Sequence, residues 1–171
     1  MSQNRLAVNP RLVRDNRPVE RVGSLVLPTR LTELLTRVHG ADAVSGFEVP
    51  SDYGHFVRTH GGGLWTPARD GSPDAYGWKV LRWSQALTAT IGVYEAMLEV
   101  EEVDERDEAM ACVQKVGMWL EVGRSRDRHY HYVCCDRSRG EFGQVHDAND
   151  GDPTTGLVPD RIWDGCRQYI A

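Results

Sequence analysis

The sequence predicts an α+β fold with a mainly antiparallel sheet from the later half of the chain, flanked by N-terminal helices, a middle helix and a C-terminal helix. Three observations carry that expectation. Helical apolar spacing dominates the first hundred residues, a period of two takes over behind them, and one last helical signal closes the chain. A doubly wound sheet would need regular alternation of strands and helices, which this order lacks.

Residues 1–28 mix arginine, asparagine and proline without a sustained period, so they read as an N-terminal arm with at most a short strand at 22–27. Residues 29–171 then read as a single domain. Thr29 caps a helix over 30–39 whose apolar stripe is Leu31, Leu34, Leu35 and Val38, and Gly40 ends it. Pro50-Ser51-Asp52 opens a second helix that buries Tyr53, Phe56 and Val57 and stops at His60-Gly61-Gly62-Gly63. Residues 65–77 read as loop and 76–83 as a strand. Ser84 caps the middle helix, with Leu87, Ile91, Tyr94 and Leu98 on one face, and the charged run Glu99–Glu108 reads as its solvated end or a loop. Behind that run, 116–122, 128–136 and 142–146 read as strands, 147–156 as an Asx-rich loop, and Pro159 as the start of a closing helix carrying Ile162, Trp163, Cys166 and Ile170.

The chain of 171 residues with 40% hydrophobic and 26% charged residues suits one globular domain. The first twenty residues carry Arg5, Arg11, Arg14 and Arg17 without an apolar segment behind them, and no run is long enough to span a membrane. A cytoplasmic protein is therefore expected. In that compartment Cys112, Cys134, Cys135 and Cys166 would be reduced, packed thiols rather than two disulfides. Charge is unevenly spread: residues 1–40 hold seven basic and three acidic residues, whereas the remainder holds thirteen basic and twenty-two acidic, a balance of +4 against −9. An acidic body disfavours direct nucleic-acid binding and attracts a basic partner surface. The arm's arginines suit contact with an acidic surface, including that of a second copy, so monomer and homodimer both stay open.

Few motifs point to bond chemistry. His60-Gly61-Gly62-Gly63 looks like the oxyanion loop of some esterases, but no G-x-S-x-G elbow supplies a nucleophile. His129 and His131 share one strand face and would make half a zinc site, yet Cys135 lies roughly 13 Å further along an extended strand and Cys134 faces the other way. The loop Asp147-Ala148-Asn149-Asp150-Gly151-Asp152 has calcium-type ligands in the wrong register, with Val158 where the bidentate glutamate belongs. The expectation is no catalytic residue, no metal and no cofactor, with a metal-dependent or esterase-like hydrolase around His60, His129, His131 and His146 as the enzymatic alternative.

Three stretches together carry a resemblance. Val49–Gly63, with Pro50, Tyr53, Phe56, Gly61 and Gly62, then Trp119–Gly123, and then His131–Asp136 with Phe142–Asp147, including Asp136, Gly143 and Asp147, resemble the SUKH superfamily, the Smi/Knr-like group, over about Leu31 to the C-terminus. The arm and the acidic insertion at 101–108 depart from that pattern. The resemblance implies an α+β domain whose bacterial members commonly act as immunity proteins, binding and neutralising a cognate polymorphic toxin, often a nuclease. Other members are scaffolds or regulators. The residues that would meet a basic toxin domain are Glu99, Glu101, Glu102, Asp104 and Glu105, with the loop carboxylates Asp147, Asp150 and Asp152.

Overall fold

The computed structural model describes residues 13–67, 76–125, 129–149 and 157–169. Its elements in chain order are β1 (Val13–Arg14), α1 (Thr29–His39), α2 (Ala41–Val44), α3 (Ser51–His60), β2 (Leu64–Pro67), β3 (Tyr76–Val80), α4 (Trp83–Leu98), α5 (Val103–Val116), β4 (Trp119–Ser125), β5 (His129–Cys134), β6 (Val145–Asn149), β7 (Leu157–Trp163) and α6 (Cys166–Tyr169). All pairings are antiparallel and the strands lie in sequence order, so the seven-stranded sheet is a meander with α1–α3 inserted between β1 and β2 and α4–α5 between β3 and β4. The α+β class and the late antiparallel sheet are as the sequence predicts.

Alternation along β4 to β6 separates two faces. Leu120, Val122, Val133 and Val145 meet Tyr53, Phe56 and Val57 of α3, the start of α4, and Cys166 and Tyr169 of α6 in the main core. Trp119, Tyr132, Cys134 and Ala148 form a smaller cluster on the opposite face. Leu31, Leu34, Leu35 and Val38 of α1 pack with Tyr94 and Leu98 of α4 and with Met118 in a third cluster.

Several boundaries differ from the sequence reading. The charged run is not simply a helix end: Val103–Val116 is a helix with no buried residue, resting on the α1–α4 cluster through half-buried Met110 and Val113. Asp104 and Glu105 in its first turn complement the positive end of the helix dipole, which favours helix where the charge count alone suggested loop. Residues 157–163 are strand, not helix, and only Cys166–Tyr169 is helical behind them. Pro159 is compatible with strand because β7 is an edge strand of the described sheet, where a missing N–H is tolerated. Asp147–Asn149 belong to β6 rather than to a loop, and residues 150–156 lie outside the described residues.

Residues 13–28 of the arm are described. No strand forms at 22–27; instead β1 pairs with β2, and the chain behind it docks on the domain. Arg14 donates to the carbonyls of His60 and Gly62 at 2.9 and 3.2 Å, and the Asp15 amide donates to Gly63 O at 2.9 Å. Asp15 pairs with Lys79 at 3.1 Å and with buried Arg82, whose guanidinium also donates to the carbonyls of Pro18 and Arg17. Glu20 accepts from Ser84 N and Oγ at the start of α4. Gly61 makes room for this strap: it has positive φ, and a Cβ there would stand 2.6 Å from Glu20 O. Residues 13–20, before the expected boundary at residue 28, are anchored to α3, β2, β3 and α4.

Candidate functional site

Helix α4 ends at Leu98, and the chain turns through Glu99–Glu102 into α5. Glu99, Glu101, Glu102, Asp104, Glu105, Asp107 and Glu108 are all exposed, and no ion pair engages any of them among the described residues. Val103 stands among them at 55% exposure. Only Arg106 offers a positive charge within the run. The five carboxylates expected there from the sequence thus form one solvent-facing acidic ridge centred on an exposed apolar side chain.

Of the late-loop carboxylates, Asp147 does not join it. Asp147 is fully buried on β6, opposite His131 in the β5–β6 register, so it is withdrawn from any docking surface. Asp150 and Asp152 lie outside the described residues. The turn reading failed for Asp147 because its residue types suit a loop, whereas strand register gives its charge two histidine neighbours. His129 Nδ1 donates to Asp147 Oδ1 at 2.9 Å, and His131 Nε2 lies 4.0 Å from Oδ2. His131 Nδ1 is hydrogen-bonded to the Tyr169 hydroxyl at 2.8 Å. Trp78 stacks on Tyr169 and meets the edge of His131, and burial drives the Tyr169 phenol well above its ordinary range.

Gly123 belongs to the same cluster, since a Cβ there would overlap the Tyr169 hydroxyl. The predicted sharing of one face by His129 and His131 fits their common neighbour, the Asp147 carboxylate. Among the described residues, no group of three or more His, Cys, Asp or Glu is placed to hold an ion. The His129–Asp147 pair fixes an imidazole as a general base would require. Ser125 Oγ, however, accepts from the His129 backbone N–H at 3.2 Å. His60 packs on Phe56 at 5.3 Å and its carbonyl holds Arg14, so the triglycine stretch serves the strap. His146 packs against Trp119, and burial lowers its basicity.

The remaining residues of the SUKH resemblance have structural partners. Pro50 precedes α3, Tyr53 and Phe56 are fully buried, and Trp119 donates its indole N–H to Val116 O at 2.8 Å. Asp136 accepts from Ser138 N and Oγ at 3.0 and 2.6 Å and bridges to Phe47, and Gly143 takes positive φ in the turn before β6.

Sequence reasoning missed a second pair. Strand β4 shifts register between Glu121 and Gly123, a bulge that brings Glu121 and Arg124 onto one face although three residues separate them. Glu121 is buried and accepts from Arg124 Nε, while Arg124 sits 5.4 Å above the Tyr130 ring. Burial raises the Glu121 carboxyl above its ordinary range, and Arg124 offsets only part of that rise. No pattern of period two would reveal this pair.

No family model, curated protein or solved structure matches the chain. No helix of the described residues is long and apolar enough to cross a membrane.

Proposed function

We propose that this chain is a non-catalytic binding module of the SUKH type, an immunity protein that neutralises a basic toxin domain such as a nuclease by covering it. The observation that carries the reading is the acidic ridge of the α4–α5 turn and α5. Its seven exposed carboxylates have no ion-pair partner among the described residues, although half-buried Asp15 and buried Glu121 and Asp147 each have a neighbouring basic or imidazole group. Mutual repulsion along the ridge is relieved by solvent alone, and a basic surface would relieve it better. Val103 supplies an apolar centre of the kind a polar rim surrounds. The superfamily resemblance supplies the partner class.

The test begins with a toxin-like polypeptide encoded beside this chain. Co-expression should rescue growth from its terminal domain. Replacing Glu101, Glu102, Asp104 and Glu105 together with serine should slow association about tenfold at low salt and remove most of the salt dependence. Rescue failure for that pair, or an association rate unchanged by the four substitutions, would refute the reading. A regulatory or scaffold role in the same superfamily would leave the ridge with a partner other than a toxin. The hydrolase alternative requires an activity lost in His129→Gln.

A further inference from the structure

An open groove of about 730 Å³ runs between α4 and the face of β4 and β5 that carries Glu121 and Arg124. Its helical wall is unusual in composition. From Trp83 to Tyr94, α4 carries no charged residue, and its exposed ridge is Ser84, Thr88, Gly92 and Ala96. A helix face kept only for solvation normally carries charged or polar groups, and a glycine inside a helix costs roughly 0.5–1 kcal/mol relative to alanine. At Gly92 a Cβ would meet nothing within 4 Å, so no intramolecular contact requires the glycine. The wall is shaped for close approach by something else.

The opposite wall supplies the charge. Arg124 is 47% exposed, its Nε is held by buried Glu121, and its plane lies over Tyr130. The two terminal nitrogens make no hydrogen bond among the described residues. An exposed arginine ordinarily keeps about 2 kcal/mol of rotamer entropy, whereas this one is anchored before any ligand arrives. Burying a carboxylate is a poor way to add stability, but it is an effective way to aim a guanidinium.

We propose that this groove docks an extended segment of a partner polypeptide through a carboxylate side chain, received by the terminal nitrogens of Arg124 as its backbone passes Gly92. Charge complementarity selects an acidic segment. Arg124 has unspent donors, the Glu121 charge is already engaged, and Glu20 at the Ser84 end is bonded to Ser84. The neighbouring cation Lys79 pairs with Asp15, leaving too few free positive charges for a run of phosphates. The groove is lined by the outer face of α4 and by the sheet, not by α5, and the proposal stands independently of the immunity reading.

The test uses the full ¹⁵N-labelled chain and two capped pentapeptides, Gly-Ala-Asp-Ala-Gly and Gly-Ala-Asn-Ala-Gly, titrated to millimolar concentration. The Asp peptide should shift the Arg124 Nε–H resonance and the amides of Thr88, Gly92 and Tyr132, and bind about fivefold to tenfold more tightly than the Asn peptide. Arg124→Gln should abolish the difference. Glu121→Gln, which leaves the guanidinium but weakens its anchor to a hydrogen bond with a neutral acceptor, should reduce the preference several-fold without lowering the melting temperature. Equal binding of both peptides, shifts confined to other surfaces, no shift with either, or an Asp preference surviving Arg124→Gln would overturn the proposal. Stronger shifts of the same resonances by an oligothymidylate would reassign the groove to nucleic acid and overturn it as well.

Discussion

Asp15→Asn is the sharpest test of whether the strap at 13–20 belongs to the folded unit. Burial alone would raise the Asp15 carboxyl, but hydrogen bonds from Arg82 and Lys79 outweigh it and hold the group at about 2 against an ordinary 3.8. That gap corresponds to roughly 2 kcal/mol, which solvent screening around the half-buried Lys79 reduces to about 1 kcal/mol. The substitution also leaves Arg82 buried without its counter-charge, a change that costs about 3 kcal/mol in fully buried pairs. The carbonyls of Pro18 and Arg17 still accept from Arg82 and soften the loss, so the expected total is about 2 kcal/mol at neutral pH. A carboxyl with a depressed folded pKa contributes stability above its unfolded value, and that contribution is lost as the pH falls from near 4 through about 2. Urea unfolding followed by tryptophan fluorescence should therefore show wild type and variant separated at neutral pH and converging below pH 3 or so. Amide exchange at Asp15 should accelerate in the variant, because its N–H ties the strap to Gly63 O. Stability within about 0.5 kcal/mol of wild type at neutral pH, with exchange at the Asp15 amide unchanged, would show that the strap is not part of the cooperative unit.

Three further outcomes are expected. Glu121 has a raised folded pKa, so the native state gains relative stability as pH falls through that raised value towards the ordinary 4.5; Glu121→Gln should match or exceed wild-type stability at pH 7, measured by urea midpoint, with a flatter pH dependence in that window. Gly123→Ala forces a methyl into the Tyr169 hydroxyl and should cost about 1–3 kcal/mol, with a change in near-ultraviolet dichroism from the Trp78–Tyr169 stack; an unchanged spectrum and midpoint would refute the cluster's tight packing. All four cysteines are free, but Cys134, Cys135 and Cys166 are buried, with burial pushing the Cys134 thiol up to about 11; a thiol reagent should label Cys112 first in native protein, and equal labelling of all four without denaturant would contradict the packing.

The legible parts of the fold are those where local chemistry and tertiary packing agree. Helix α3 was readable because Pro50 precedes it, Tyr53, Phe56 and Val57 recur on one face, and glycine follows it. Helix α5 was not, because its acidic residues mask an inner side that is only half-buried. Residues 157–163 were misread because proline suits a first helical turn and an edge strand alike, and only the pairing partner decides. At the site level, the exposed carboxylates were readable from charge density. Asp147 was not, since its burial depends on facing His131 across two strands, and the Glu121–Arg124 pair depends on a bulge that no spacing rule encodes.

The distribution of partnered and unpartnered acids separates what folding requires from what it merely permits. Asp15, Glu121 and Asp147 are withdrawn from solvent, and each is answered by Arg82 and Lys79, by Arg124, or by His129. Those pairs hold the strap, aim one guanidinium and order the β5–β6 face. The ridge from Glu99 to Glu108 has no such answer. Helix-dipole compensation reaches only the first turn of α5, so Asp104 and Glu105 gain from it while Glu99, Asp107 and Glu108 do not. Helix formation alone would be served as well by neutral or alternating charges, which add pairs four residues apart instead of repulsion. Under the proposed function, the unpaired excess acts on what approaches the surface. The same logic distinguishes the groove beside α4, where charge is nearly absent from one wall and a single anchored cation stands on the other. An acidic ridge acts at a distance and sets the rate of encounter, whereas a pre-aimed arginine acts at contact and sets register. A partner using both surfaces would show salt-sensitive association governed by the ridge and dissociation governed by Arg124.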